Sequence, residues 1–191
     1  MTQPNLQSVD WSKIPAPPDD GAMAHLPGMR LPAVALWSTG GTLVVLAAIK
    51  GRAVIYGYPM TGQPGVALPD GWDEVPGARG CTPQSCAFRD HHAELAAAGA
   101  CAVYGLSTQD SAYQREMAAR LHLPFPVLSD AGLQLATAAG FPTMVVDGKT
   151  LIKRFALVLD DGVIVKVFYP VFPPDANAGD VLAWLQANPR V

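Results

Sequence analysis

Short apolar runs along the chain predict a set of β-strands. Two such runs flank a Ser-Thr-Gly-Gly turn in AVALWSTGGTLVVL, residues 33–46, and predict an N-terminal β-hairpin. The runs AVIYGY at 53–58 and CAVYGL at 101–106 predict buried strands, and FPVL at 125–128 predicts a short one. In FALVLDDGVIVKVFY, residues 155–169, an Asp-Asp-Gly turn between two apolar runs predicts a second hairpin.

Helical periodicity alternates with these strands in the second half of the chain. The predicted helices cover residues 83–98, 111–123, 131–140 and 175–189. Gly99 and Pro124 are suitable stops for the first two, and either Asp175 or Asn177 can cap the last. The resulting order is ββ, β, α, β, α, β, α, ββ, α, which predicts an α/β fold with a central mixed sheet between helices.

Proline and glycine divide the chain into one domain and its appendages. Residues 1–30 are rich in proline and non-periodic, so we expect an extended arm that wraps on the domain and is anchored by Trp11 and Ile14. Residues 31–191 form the predicted domain, and a long Gly- and Pro-rich loop at about 60–80 interrupts it.

Composition favours a globular protein with a sizeable core. Half of the 191 residues are apolar, 15% are charged, and the net charge of -3 argues against a nucleic-acid partner. The sequence shows neither a signal-peptide pattern nor an apolar run of the ~20 residues that a membrane span needs. We therefore expect a cytoplasmic protein, in which closely spaced cysteines are catalytic or metal-binding more often than structural.

Two of the three cysteines lie in GARGCTPQSCAFRDHH, residues 77–92, where the predicted helix begins. Cys81 would lie at the helix N-terminus, whose free N–H groups and dipole stabilise a thiolate, and Thr82 can cap the helix. Cys86 follows five residues later, a rise of ~7.5 Å and a rotation of ~140°. An intact helix therefore cannot hold a disulfide between them, and the pair is expected to act as a switch that requires unwinding.

Other interpretations of these residues stay open at this point. Cys101 lies inside a predicted strand, so we expect a core residue. A zinc site built from Cys81, Cys86 and either His91 or His92 is conceivable, although its spacing is not that of common zinc sites.

The same stretch resembles the peroxiredoxins, specifically their bacterioferritin-comigratory, or Q-type, branch. The likeness rests on YP at 58–59 followed by GCTPQSCAFRD at 80–90, with three further segments in the family's order. These segments are GLSTQD at 105–110, LPFPVLSD at 123–130 and KRFALVLDDGVI at 153–164. The resemblance runs from about residue 31 to the end and implies a thioredoxin-like fold.

Residue by residue, the resemblance implies an active site. Cys81 matches the peroxidatic cysteine and Cys86 the resolving one. Arg154 matches the arginine that holds the thiolate and the peroxide oxygens, and Pro59 matches the proline that opens the active-site loop.

One departure from the family pattern concerns a hydroxyl group. The family carries a threonine three residues before its peroxidatic cysteine, whereas this chain has Ala78. Either Thr61 or Thr82 could replace that hydroxyl, or both could occupy only turn and cap positions. Arg79 is a further candidate cation, although loop arginines are more often solvated.

The resemblance thus implies a thiol-dependent peroxidase that reduces hydrogen peroxide or organic hydroperoxides. It implies an intramolecular disulfide, re-reduction by thioredoxin or a similar dithiol, no metal or organic cofactor, and a monomer or homodimer. The alternatives are a thioredoxin-like disulfide oxidoreductase, which the absence of a Cys-x-x-Cys pair disfavours, and a non-enzymatic redox sensor on the same fold.

Overall fold

The computed structural model describes residues 9–190, which form nine strands and five α-helices. The strands are β1 (Ala35–Ser38), β2 (Leu43–Val45), β3 (Arg52–Gly57), β4 (Ala100–Ser107), β5 (Val127–Ser129), β6 (Thr143–Val146), β7 (Lys149–Ile152), β8 (Phe155–Asp160) and β9 (Val163–Phe168). The helices are α1 (Cys81–Asp90), α2 (His92–Ala97), α3 (Ser111–Arg120), α4 (Gln134–Ala139) and α5 (Asn177–Ala187). Short 3₁₀ turns lie at Trp11–Lys13, Leu46–Ala48, Trp72–Glu74 and Pro174–Ala176.

Seven strands form one mixed sheet in the order β2-β1-β5-β4-β3-β8-β9. The β3–β4 and β4–β5 pairs are parallel, and every other pair in this sheet is antiparallel. The interior strand β3, between β4 and β8, is buried along its whole length, as expected for a strand covered on both faces. The thioredoxin-like fold predicted from the sequence, including the N-terminal hairpin β1–β2, is confirmed.

Alternate residues of β3 face two different hydrophobic clusters. Ala53 and Ile55 contribute to one cluster, whereas Val54 and Tyr56 contribute to the other, which also contains Cys81. The candidate nucleophile is therefore anchored in a core that the sheet shares with α1 and α5.

Three predictions about the elements were incomplete or wrong. The helix predicted at 83–98 begins at Cys81 instead and is divided into α1 and α2 at His91. The β6–β7 hairpin was missed, although an Asp-Gly pair such as Asp147–Gly148 is typical of a two-residue hairpin turn. In the structure the two residues have positive φ angles of 50° and 71°. The residue that precedes α5 is Ala176, without a side-chain cap, because the candidate caps are engaged elsewhere, as described below.

In the part of the chain that the structure describes, no helix combines the length and the apolar character that crossing a membrane requires.

The two tight hairpins of the chain give a matched test of packing around glycine. Gly162 has φ +79°, and a Cβ atom there would lie 2.2 Å from the carbonyl oxygen of Ala47. Gly148 has φ +71°, and a Cβ atom there would have no atom within 4 Å. We expect Gly162→Ala to lower the free energy of unfolding by about 3 kcal/mol and Gly148→Ala by about 1 kcal/mol. Urea unfolding measures both values, and equal losses would contradict the close approach of Ala47.

Candidate active site

Cys81 is the first residue of α1, at the point where the active-site loop enters the helix. Its side chain is 3% exposed, and it belongs to the first helical turn, whose N–H groups have no acceptor within the helix. The preceding residue, Gly80, has φ +105°, and a Cβ atom there would lie 2.5 Å from Pro174 and 2.8 Å from Trp11. A glycine is therefore required at this position, both for its backbone conformation and for the space it leaves.

Arg154 lies between β7 and β8 and brings a buried guanidinium to Cys81. Its Nη2 group donates to the Cys81 sulfur at 3.2 Å. The same nitrogen lies 3.3 Å, 3.0 Å and 3.0 Å from the carbonyl oxygens of Gly77, Ala78 and Arg79, respectively. One cationic group therefore contacts both the sulfur and the three-residue segment before the helix.

Gln84 holds the opposite side of the same guanidinium. The Arg154 Nη1 group donates to Gln84 Oε1 at 2.5 Å, and Gln84 Nε2 donates to Asn177 Oδ1 at 2.9 Å. Gln84 and Asn177 are 0% and 1% exposed. The chain of bonds links α1, the β7–β8 connection and α5, and it explains why Asn177 is not available as a helix cap. Sequence reasoning missed Gln84, although a polar residue one turn after Cys81 in a buried helix must find a partner.

Thr61 is buried, but its hydroxyl is bonded away from the cysteine. Its N–H and Oγ1–H groups donate to Gln109 Oε1 at 3.0 Å and 3.2 Å. Its carbonyl oxygen accepts from Gln109 Nε2 at 3.1 Å and from the Tyr113 hydroxyl at 3.0 Å. These bonds fix the start of the loop that Pro59, also buried, opens after β3.

Thr82 does not cap the helix as predicted. Gly80 is the residue that precedes α1, and no side chain caps this end, because Thr82 is already the second residue within the helix. The position where the family has its threonine is filled by Ala78, which is fully buried. The Cys81 thiol donates to the Ala78 carbonyl oxygen at 3.5 Å, so this loop offers the sulfur an acceptor in place of a hydroxyl donor.

Arg79 makes an ion pair with Asp73 at the surface, and its side chain is 38% exposed. Its side chain therefore contributes an exposed surface pair, whereas its backbone carbonyl belongs to the segment that Arg154 binds.

Tyr58 adds a buried phenol that the sequence analysis did not single out. It belongs to the same hydrophobic cluster as Cys81, and burial raises the pKa of its hydroxyl well above the usual value. Its hydroxyl has no hydrogen-bond partner among the described residues. The phenol therefore stays neutral.

Cys86 lies on the same helix and is half-buried against the cluster that contains Cys81. Burial raises the pKa of the Cys86 thiol, and Arg89 partly offsets the effect. The helix is continuous from Cys81 to Asp90, and both cysteines are free thiols. The geometry is that of a reduced pair in which one sulfur lies against a cation and the other is kept protonated.

Cys101 is exposed, so its prediction as a core residue is wrong. It lies near the start of β4, where alternation points it away from buried Ala100. It lies beside Gly51, which has no side chain to cover the sulfur, and it donates to the Lys50 carbonyl oxygen at 3.3 Å.

The two histidines of the conceivable zinc site have other partners. His91 pairs with Glu94, and the His92 ring lies 5.6 Å from that of Phe125. Between residues 9 and 190, no group of three or more His, Cys, Asp or Glu side chains is arranged to hold a metal ion.

Comparison with known proteins places this geometry in a family. The Redoxin family model matches residues 26–182. A chloroplastic peroxiredoxin Q from Oryza sativa subsp. japonica is 35% identical over 162 residues, which are 84% of this chain and 66% of that protein. The chain belongs to the redoxin family. Within it, the chain is a member of the peroxiredoxin Q group, and it spans just under two thirds of the length of the rice relative.

Solved structures agree with this assignment. The peroxidoxin BcpB from Mycobacterium tuberculosis superposes with a TM-score of 0.69 at 29% identity, covering 87% of this chain and 100% of that one. The bacterioferritin comigratory protein of Xanthomonas campestris, whose structures concern alkyl peroxide reduction, superposes with a TM-score of 0.66 at 26% identity. That match covers 85% of this chain and 98% of the Xanthomonas chain.

The contact between Arg154 and Cys81 can be tested against a matched arginine. We expect Arg154→Ala to slow peroxide oxidation of Cys81 by about 100- to 1,000-fold, the usual effect of removing one preorganised donor. Alkylation of Cys81 by iodoacetamide should also be slower, because the guanidinium no longer lies beside the sulfur. Arg79→Ala, which removes an exposed ion pair, should change either rate by less than about threefold. Equal effects of the two substitutions would contradict the role of Arg154.

Proposed function

We propose that this protein is a thiol peroxidase that reduces hydrogen peroxide and organic hydroperoxides, with Cys81 as its nucleophile. The observation that carries the proposal is the Cys81 sulfur at the start of α1, 3.2 Å from the buried guanidinium of Arg154. A helix N-terminus and a fixed cation are the two features that stabilise a thiolate without a metal. Membership of the peroxiredoxin Q group supports the same chemistry.

The first step is attack of the Cys81 thiolate on one oxygen of the peroxide. The O–O bond breaks, the sulfur gains that oxygen as a sulfenic acid, and the other oxygen leaves as water or an alcohol after taking up a proton. The departing oxygen develops negative charge, which the Arg154 Nη2 group and the first N–H groups of α1 can stabilise.

The second step forms a disulfide between Cys81 and Cys86. The Cys86 thiol condenses with the sulfenic acid, an S–S bond forms, and water leaves. Because the five-residue spacing in an intact helix keeps the sulfurs apart, the first turn of α1 must unwind before the bond forms. A thioredoxin-type dithiol then exchanges with the disulfide and restores both thiols.

The burial of Cys81 favours a peroxidase over a disulfide oxidoreductase. A cysteine that attacks disulfides of other proteins must be accessible to them, whereas Cys81 is 3% exposed. A small peroxide can reach a buried sulfur that a protein disulfide cannot. The cytoplasmic location and the choice between monomer and homodimer stay predictions.

The nucleophile is tested by comparing two cysteine substitutions. Cys81→Ser should abolish peroxide consumption, because a serine hydroxyl stays protonated and cannot be oxidised in this way. Cys101→Ser, at an exposed cysteine outside the site, should retain the wild-type rate within about twofold. The assay couples peroxide loss to thioredoxin, thioredoxin reductase and NADPH. Loss of activity in Cys101→Ser alone would show that the wrong cysteine has been assigned.

The resolving residue is tested by a single-turnover experiment. Cys86→Ser should react once with peroxide at the wild-type rate, because the surroundings of Cys81 are intact. It should then remain a sulfenic acid, which dimedone labels, or become a sulfinic acid at excess peroxide. Continued turnover of Cys86→Ser with thioredoxin as the only reductant would mean that Cys86 is dispensable.

A further inference from the structure

The N-terminal residues 9–20, which we call the strap, cross the candidate active site. They lie before residues 26–182, the part that matches the family model. The strap contacts the site through Trp11, Pro17 and Asp20. A Cβ atom on Gly77 would lie 3.4 Å from Pro17, so the middle of the strap packs on the segment that Arg154 binds.

Trp11 packs on the residue immediately before Cys81. A Cβ atom on Gly80 would lie 2.8 Å from the Trp11 ring, so the indole lies directly against that backbone. The ring is held in place from two sides. Its Nε1–H donates to Asp175 Oδ2 at 2.8 Å, and the indole and the Phe172 ring make an edge-to-face contact with centroids 6.0 Å apart.

Asp20 fastens the other end of the strap beside Arg154. Its carboxylate accepts from Lys153 Nζ at 2.7 Å and from the Tyr169 hydroxyl at 2.7 Å. Lys153 directly precedes Arg154 in the chain. The hydrogen bond from Lys153 holds the pKa of Asp20 at about 2, so the pairing persists across the physiological pH range.

The packing of Trp11 on Gly80 depends on how the chain enters α1. The bonds of the strap to Asp175, Lys153 and Tyr169 do not involve α1 and hold the strap in place. Unwinding from Cys81 to Cys86 displaces Gly80 and removes the surface on which the indole packs. The strap therefore stabilises the helical form relative to the unwound form and raises the free energy of the opening that disulfide formation requires.

We propose that Trp11 controls the rate of disulfide formation. Through Trp11, the strap holds the first turn of α1 folded and slows the condensation of oxidised Cys81 with Cys86. This inference rests on the proposed peroxidase function. The attack on peroxide takes place in the folded state and needs no unwinding, so loss of the strap should affect it less than it affects condensation.

The consequence is a competition for the sulfenic acid. Condensation with the Cys86 thiol gives a disulfide and water. A second peroxide molecule instead transfers an oxygen to the sulfur, giving a sulfinic acid and water or an alcohol. Slower condensation leaves more time for the second reaction, so the strap sets the peroxide concentration at which the protein is inactivated.

The test compares Trp11→Ala with a control at the exposed tryptophan of β1, Trp37→Ala. In single-turnover oxidation of the full chain, samples are quenched with acid and analysed by mass spectrometry for sulfenic acid, disulfide and sulfinic acid. Trp11→Ala should form the disulfide about tenfold faster, as expected for loss of the aromatic packing against Gly80. The rate of sulfenic acid formation should change by a smaller factor than the rate of disulfide formation, and less sulfinic acid should accumulate at high peroxide.

Two further variants separate this role from a general loss of stability. Trp11→Phe keeps an aromatic ring against Gly80 and Phe172 and should restore most of the wild-type rate of condensation. Asp20→Asn weakens the other attachment of the strap and should accelerate condensation by a smaller factor than Trp11→Ala. A Trp11→Ala rate of condensation equal to that of wild type and Trp37→Ala would overturn the proposal.

Hydrogen exchange of the reduced protein tests the strap without any turnover. Amides of residues 84–86, the first that are hydrogen-bonded within the helix, should exchange about tenfold faster in Trp11→Ala than in Trp37→Ala, because local opening is easier. Equal exchange rates in the two variants would overturn the proposed role of the strap in holding α1 folded. A wild-type protein that consumes no peroxide, by contrast, overturns the proposed peroxidase function, and the exchange rates then still decide whether the strap controls the helix.

Discussion

The guanidinium of Arg154 is the group on which the arrangement of the candidate site depends. It donates to the Cys81 sulfur, to three successive carbonyl oxygens of the preceding loop and to Gln84. A buried cation must be surrounded by acceptors, and here the acceptors are the loop, the helix and the nucleophile. The need to satisfy one charge thus fixes residues 77–84 against the β7–β8 connection, and the bond from Gln84 to Asn177 extends the network to α5.

The same arrangement opposes the next step of the proposed reaction. Disulfide formation requires the first turn of α1 to unwind, which separates Gln84 from both Arg154 and Asn177. The buried network and the strap at Trp11 both favour the folded form in which peroxide is attacked. The balance between the folded and the unwound form, more than the reactivity of either sulfur, then determines how the sulfenic acid is consumed.

Sequence patterns predicted the features that follow from the local succession of apolar and polar residues or from the resemblance to the family. The strands of the sheet follow from apolar runs, and the contact between Cys81 and Arg154 was expected from the resemblance. Burial was harder to predict: Cys101 lies in a strand as expected, but its exposure depends on the neighbouring Gly51. Gln84 was missed because its partners come from two distant segments, which no local pattern indicates.

The most direct test of the central claim, that oxidation links Cys81 to Cys86, uses the position of the arginines. Cleavage after Arg79 and Arg89 gives one tryptic peptide, residues 80–89, that contains both cysteines. After one equivalent of peroxide, non-reducing mass spectrometry should find this peptide lighter by two hydrogens and resistant to alkylation. If the peptide is instead cross-linked to the peptide that contains Cys101, or to a second chain, the account is wrong.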